Sequence, residues 1–303
     1  MLLSGNRRSV VAMLAACAFF AGMDAFMKAL SAHYSPLQVT TLRGMTALPL
    51  IALYILWRGE WRAVVHRRLR WGLHVLRGLA GVALLALFTT ALRTLGLAEA
   101  YTLSFIAPML ITLLAVPILG ERVRAWHLLC TGLGFIGVLV ALRPGQAAFA
   151  SVGSLAALGA AGCYALHSVL GRLISRTEPS ASLVLWTLVS MTVFGGLLAW
   201  PQWTAVQAEH ALLLAGLAVT GFLGQLTISE AFRHGQAAVV APFEYSALGW
   251  AVLIDWVFWH AVPDGWTLGG AAIIIASGLL MLRGQIRLAR AAHPDSRGRH
   301  RPH

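Results

Sequence analysis

Residues 91–143 read ALRTLGLAEAYTLSFIAPMLITLLAVPILGERVRAWHLLCTGLGFIGVLVALR, and residues 231–283 read AFRHGQAAVVAPFEYSALGWAVLIDWVFWHAVPDGWTLGGAAIIIASGLLMLR. Laid on each other without a gap, at a shift of 140, the two stretches share ten of 53 residues. Arg93 meets Arg233, Trp126 meets Trp266, and Leu142-Arg143 meets Leu282-Arg283; upstream, Gly22 meets Gly162 and Gly81 meets Gly221. Self-similarity at a fixed shift marks a duplicated architecture. Each copy holds two apolar runs of about twenty residues, the length that crosses ~30 Å of hydrocarbon as a helix.

Composition says the same of the whole chain. Of 303 residues 58% are apolar and 11% charged, and the mean hydropathy is +0.75. A soluble domain carries roughly 25% charge, and this chain has too little polar surface to cover so much oil. That excludes a soluble enzyme, a disordered chain and a disulfide-stapled secreted module. The apolar runs are continuous rather than alternating, which argues against an outer-membrane barrel. The expected fold is an all-α polytopic membrane protein. The net charge of +12 comes from 22 Arg and one Lys. These lie between the apolar runs and on the C-terminal tail, where they set topology, so no nucleic-acid partner is expected. Cys17, Cys130 and Cys163 are odd in number, lack CxxC spacing and fall within apolar runs, as small buried hydrophobes do. No metal site and no cofactor are expected.

Ten spans are expected, near 9–30, 36–57, 71–92, 97–119, 124–142, 151–173, 180–200, 209–231, 237–259 and 265–283. The first is too long for a signal peptide, carries Asp24 and Lys28, and is followed by no small-x-small cleavage site. Ten spans divide into two five-helix repeats, 9–143 and 151–283, followed by a basic tail, 284–303. With an odd number of helices in each, the second repeat enters from the opposite face, so the two are inverted copies. Secondary transporters use this arrangement, with the substrate site near the midplane. Eighteen of the 23 basic residues fall on the face of the N-terminus, two (Arg93 and Arg143) on the other, and Lys28, Arg43 and Arg77 within spans. The positive-inside rule then puts both termini in the cytoplasm. The tail is expected to be disordered and to face anionic lipid.

A charge at the bilayer centre costs ~2.5–3.5 kcal/mol on insertion scales, so ionisable groups in spans need partners or a wet cavity. Asp24 and Lys28 lie four apart on one helical face, acid before base. They read either as a self-neutralised pair or as one that opens to a zwitterion. Arg43 and Arg77 have no acid nearby on their own helices, and their guanidinium forks suit a carboxylate or phosphate. Arg77 can also snorkel to the interface. Glu99 and Glu244, near the starts of the fourth and ninth spans, suit an amine or a carried proton. Tyr101 and Tyr245 sit beside them, and His167 is a lone candidate in the sixth span. Asp255, among Trp250, Trp256 and Trp259, is expected near the outer surface. Pro108 and Pro117 interrupt the fourth span and Pro242 the ninth, equivalent members of the two halves, which is tolerated where a helix lines a cavity. No phosphate loop, HExxH or GxSxG is present.

Several stretches resemble the EamA-type family of the drug/metabolite transporter superfamily. They are Asp24-Ala-Phe-Met-Lys28, Leu42-Arg43-Gly44, Leu76-Arg77-Gly78, Ala107-Pro108, Leu119-Gly120-Glu121-Arg122, Arg143-Pro144-Gly145 and Ala241-Pro242-Phe243-Glu244-Tyr245. The resemblance spans residues 10–284. It implies an inner-membrane permease for small metabolites, working by rocking of two halves. One departure is His260-Ala261, which stands where the second copy usually repeats a Gly-Glu pair like Gly120-Glu121; Glu121 is then expected to do local work at a helix start. The expected function is transport of a small polar metabolite, an amino acid or other carboxylate-bearing compound. Lys28 and Arg43 would hold the anion, and Glu99 or Glu244 would face an amine or carry a coupling proton. A polytopic membrane enzyme or lipid-handling protein, or a non-transporting subunit, are the alternatives.

Overall fold

Capping side chains and prolines decide where the helices begin. Ser35 accepts a hydrogen bond from the Gln38 N–H (3.3 Å) just before Pro36. Ser151 accepts from Ser154 N–H (3.1 Å), and Asp264 from Thr267 N–H (2.8 Å). Each satisfies a donor that a helix start leaves orphaned. The computed structural model describes residues 2–65, 69–120, 125–142, 151–234 and 241–292. Its helices are α1 (Leu2–Ser31), α2 (Pro36–Trp57), the single turn α3 (Trp61–Val64), α4 (Trp71–Leu92), α5 (Leu97–Ser104) and α6 (Ala107–Leu119). There follow α7 (Ala125–Leu142), α8 (Val152–Ile174), α9 (Ser180–Ala199), α10 (Ala211–His234), α11 (Ser246–Trp259) and α12 (Gly265–Ala292). Among the described residues there is no strand.

Seven stretches are long and apolar enough to cross a membrane: Arg8–Ser31, Pro36–Trp57, Trp71–Leu92, Leu97–Leu119, Val152–Ile174, Ala181–Gln202 and Ala208–Ala231. Gly132–Leu142 and Gly265–Leu280 are shorter apolar helices, and α11 is 14 residues of largely apolar sequence. Exposed Leu53, Leu197 and Phe258 fit surfaces that meet lipid. The fourth expected span is broken: α5 ends at Ser104 and α6 restarts at Ala107-Pro108, where proline is tolerated because first-turn N–H groups have no helical partner. Its equivalent opens with a 3₁₀ turn, Ala241–Tyr245, before α11. The last helix departs from expectation. It runs through Ala292, well past 283, so residues 284–292 are helical rather than disordered.

The main packing pairs join the two halves. α1 packs on α10, α4 on α8, α2 on α9 and α7 on α12. Under the shift of 140, α1 corresponds to α8 and α4 to α10, so the first two pairs exchange and the other two map onto themselves. The largest buried apolar cluster likewise takes Met27 from α1, Phe88 from α4, Met191 from α9, Leu217 from α10 and Ala251 from α11.

The duplication persists in backbone detail. Gly120 ends α6 in the left-handed region (φ 71°) and donates to the Ala115 and Val116 carbonyls. At the equivalent end of α11, His260 adopts φ 53° and donates to the Asp255 carbonyl, the counterpart of Ala115. The glycine is lost but its conformation is kept. Opposite ends of the bundle also carry related clasps. At one, His74 Nε2 bonds Glu178 Oε2 (2.7 Å), and Arg70 N–H and the Ser182 hydroxyl donate to the same carboxylate. At the other, Tyr34 Oη bonds His210 Nδ1 (2.7 Å) and accepts from Gln207 N–H (3.0 Å). His210 and Tyr34 lie one helical turn from the positions that 140 residues would assign to His74 and Glu178. Gln38, the positional counterpart of Glu178, instead bonds Thr204 through both ends of its amide.

Two stability effects follow from these contacts. A non-glycine residue in the left-handed region costs roughly 1–2 kcal/mol, partly offset by the stiffer unfolded chain. His260→Gly therefore raises the melting temperature in detergent, by about 2 °C; a fall would mean that the histidine ring makes stronger contacts than the strain it bears. Burial pushes the Glu178 carboxyl up, but the His74 and Arg70 hydrogen bonds, the His74 charge and Ser182 outweigh it and hold it below the usual carboxylate range. A carboxylate depressed on folding stabilises above its unfolded pKa, ~4.3, and that stabilisation is lost as pH falls through the folded value. Melting temperature should thus drop below about pH 4, and Glu178→Gln should lower it at neutral pH while flattening the acid limb.

Candidate functional site

The Leu-Arg-Gly pairs on α2 and α4 set the walls. A Cβ on Gly44 would lie 2.7 Å from Thr192 Oγ1 and 3.0 Å from the Leu188 carbonyl, and one on Gly78 would overlap Ser190. Glycine at both places lets α9 settle against α2 and α4. The arginine before each glycine then meets a different fate. Arg77 Nη1 donates to the Leu183 carbonyl (2.9 Å) and to Thr187 Oγ1 on α9, while its buried Nε has no partner. His167 Nδ1 bonds the Arg77 carbonyl (3.0 Å). Arg77 is therefore a tie between α4 and α9 rather than a snorkelling residue.

Among the described residues, Arg43 makes no side-chain hydrogen bond or ion pair. It interacts electrostatically with Asp24 and Tyr101, and it also acts on His167. Its guanidinium sits within the bundle beside Asp24 and Tyr101. Asp24, 8% exposed on α1, accepts a hydrogen bond from Tyr101 Oη on α5 (2.6 Å). Phe88, Tyr101, Phe105 and Tyr245 form a run of ring contacts, the last edge-on at 5.3 Å. Glu244 is exposed and lies within electrostatic reach of Cys17, Tyr164 and Tyr245. Cys17 Sγ lies 3.7 Å from the Phe243 and Glu244 carbonyls. Asp24, Arg43 and Tyr101 thus form one polar cluster, roughly two turns in from the end of α1 at Ser31, to which Tyr245 connects through Phe105 and Glu244 through Cys17.

The structure separates the other candidates from it. Asp24 and Lys28 share a face but do not pair with each other. Lys28 Nζ reaches Asp255 Oδ1 on α11 (3.1 Å) and lies 4.4 Å from the Trp259 ring centroid. Asp255 is 2% exposed, turned into the bundle, where it answers the only lysine and also accepts the Ala98 N–H (2.9 Å) at the start of α5. Sequence reasoning missed it: Lys28 needed a counter-ion in oil, but five acids lay within spans and nothing local chose among them. Glu99 accepts from the Gly96 N–H (3.4 Å) and so caps α5. It lines a cleft of about 130 Å³ with Leu95, Leu103, Ala141, Ser154 and Thr267. A larger cleft of about 580 Å³, lined by Tyr54, Arg58, Leu226, Thr227, Ser229 and Glu230, opens between α2 and α10. Neither touches Asp24 or Arg43. The charges are the better guide to the site, because within hydrocarbon an ionisable group persists only where it is paired or wet. Glu121 lies outside the described residues. Among the described residues, no group of three His, Cys, Asp or Glu could hold a metal.

The chain belongs to the EamA-like transporter family, whose model matches it twice, over residues 7–143 and 151–283. With its apolar helices, that makes it a multi-pass membrane transporter. It is similar to the pseudopaline exporter CntI of Pseudomonas aeruginosa (strain UCBPP-PA14), 29% identical over 87% of this chain and 92% of the other. It is 31% identical to the riboflavin transporter of Vibrio cholerae over 70% and 71% of the two chains. The S-adenosylmethionine uptake transporter of Rickettsia conorii is 26% identical over 73% and 74%. A solved crystal structure shares the fold at TM-score 0.64 and 20% identity, covering 92% of this chain and 98% of that one.

The Tyr101–Asp24 bond is open to a direct check. Removing one partner of a buried hydrogen bond costs ~1–3 kcal/mol, because the other is left unsatisfied. Tyr101→Phe, which keeps the ring contacts with Phe88 and Phe105, should lower stability by that amount, and Asp24→Asn should recover part of it in the double variant. Additive losses in thermal or denaturant melts would show that the two side chains are not coupled.

Proposed function

We propose that this chain is a secondary transporter of the bacterial inner membrane. Its substrates are small polar metabolites, amino acids or related carboxylate-bearing compounds. Ten spans form two inverted five-helix repeats, residues 9–143 and 151–283, with both termini cytoplasmic. The reading is supported by the two family matches and by packing pairs that exchange when the halves are exchanged. Access alternates as the halves rock about the central site.

One observation carries the substrate assignment. Arg43 is a mid-bundle guanidinium with no protein hydrogen bond, beside an acid that is already bonded to Tyr101. A fork of that kind offers a carboxylate two parallel charge-assisted bonds. Glu244, flanked by Tyr164 and Tyr245, is the counterpart for an amine, with ring faces to receive it. Lys28, occupied by Asp255, drops out of the anion-binding role. Asp24 or Glu244 exchanging a proton would couple transport to the proton gradient.

The test is uptake and efflux in proteoliposomes, with ligands first chosen by a thermal-shift screen of amino acids, flavins and adenosyl compounds. Losing a hydrogen bond to a charged group costs ~1.5–3 kcal/mol, so Arg43→Ala should weaken transport of carboxylate-bearing substrates ~10–100-fold and Arg43→Lys less. Glu244→Gln should act selectively on amine-bearing ones. Unchanged transport by a folded Arg43→Ala protein would remove Arg43 from the site. Tags on the two termini should both report from the cytoplasm; opposite faces would overturn the ten-span topology.

A further inference from the structure

Lys28 lies one helical turn beyond Asp24 on the same face of α1, towards the end of the bundle that carries the 32–35 and 93–96 links. On α5, Ala98 precedes Tyr101 by one turn in the same direction. Two rungs therefore cross the same gap, one above the other. The inner rung is Tyr101–Asp24 (2.6 Å). The outer rung is Asp255, which accepts from Lys28 through Oδ1 (3.1 Å) and from the Ala98 N–H through Oδ2 (2.9 Å). Asp255 thus binds three helices, α1, α5 and α11, directly over the candidate site.

The rung is built closely. A Cβ on Gly96 would sit 2.8 Å from Asp255 Oδ2, so glycine is needed for the carboxylate to reach the start of α5. Trp259, one turn on from Asp255, covers the Lys28 ammonium at 4.4 Å. The left-handed turn at His260 returns two N–H groups, those of His260 and Ala261, to the Asp255 carbonyl. Arg93 Nε donates to the Ser31 carbonyl (3.0 Å) and fastens the next link to the end of α1. The contact joins α1 and α5 of the first half to α11 of the second, the kind of contact that halves rocking against each other must break.

We propose that Lys28, Asp255, Trp259 and the α5 N-terminus form a gate that seals the candidate site towards the end of the bundle bearing the 32–35 link, the periplasmic side in the topology above. Opening that side separates Lys28 from Asp255 and then lets water and solutes past the Asp24–Tyr101 rung as far as Cys17. The inference rests on the site assigned above, but access can be measured without any substrate.

Cys17 is the reporter. It lies seven residues from Asp24 on the same face of α1 and beside Glu244. With Cys130→Ser and Cys163→Ser in place, a membrane-impermeant maleimide is applied to intact cells and Cys17 labelling is followed over time. Asp255→Asn and Lys28→Met should each speed labelling about tenfold, a shift of one decade in the open population. The charge-exchanged protein, Lys28→Asp with Asp255→Lys, should restore the slow rate in part, because the ion pair returns but the Ala98 N–H loses its acceptor. Breaking a buried pair can also unfold the protein. Two further variants leave no unpaired charge: Trp259→Leu, and the double Lys28→Met with Asp255→Leu; both should label faster. Unchanged labelling in all folded variants would overturn the gate. Faster labelling in a protein that transports none of the screened compounds would leave the gate standing and remove the substrate assignment instead.

Discussion

A charge inside hydrocarbon must find a partner, and in this protein the partners are on other helices. Lys28 is answered by Asp255 across the two halves, Asp24 by the Tyr101 hydroxyl, and Arg77 by a carbonyl and a hydroxyl of α9. An unpaired ion in that environment costs several kcal/mol, more than most packing contacts contribute. The polar residues therefore fix which helices lie together at the centre, and the apolar surfaces fill in around them. Arg43 stands apart from this pattern. Its guanidinium feels Asp24 only through space, which leaves its hydrogen-bonding capacity available.

Duplication left its trace in geometry more than in identity. The left-handed end of α6 survives at α11 although histidine has replaced glycine. The His74–Glu178 and Tyr34–His210 clasps occupy corresponding places at opposite ends of the bundle, one built on a carboxylate and the other on a phenol. Backbone position is inherited with the fold, whereas the side chains that decorate it can drift separately in each copy. The two ends of the bundle are consequently held by different chemistry.

Much of the helical plan was legible beforehand. The expected spans 36–57 and 71–92 match α2 and α4 to the residue, the ends of 97–119 are those of α5 and α6 together, and the interruption at Ala107-Pro108 falls where proline forbids a continuous ladder. Helix ends that depend on polarity alone were read less well, as the continuation of α12 to Ala292 shows. At the site, reading along single helices grouped Asp24 with Lys28 because they share a face, and gave Asp255 no partner. That reading was local: an i, i+4 neighbour is only one competitor for a charge, and Lys28 found a better one on a neighbouring helix.

From sequence alone came the membrane class, the helix lengths, the twofold internal repeat and the short roster of groups that oil would not tolerate unpaired. These follow from hydropathy, the rise per residue and the cost of burying charge, all of which act along the chain. Which of those groups bind each other, which one keeps no hydrogen-bond partner among the described residues, and which end of the bundle each tie secures were decided only by tertiary packing. Those outcomes turn on contacts between residues 77 to 227 positions apart, and no periodicity in a single helix encodes them.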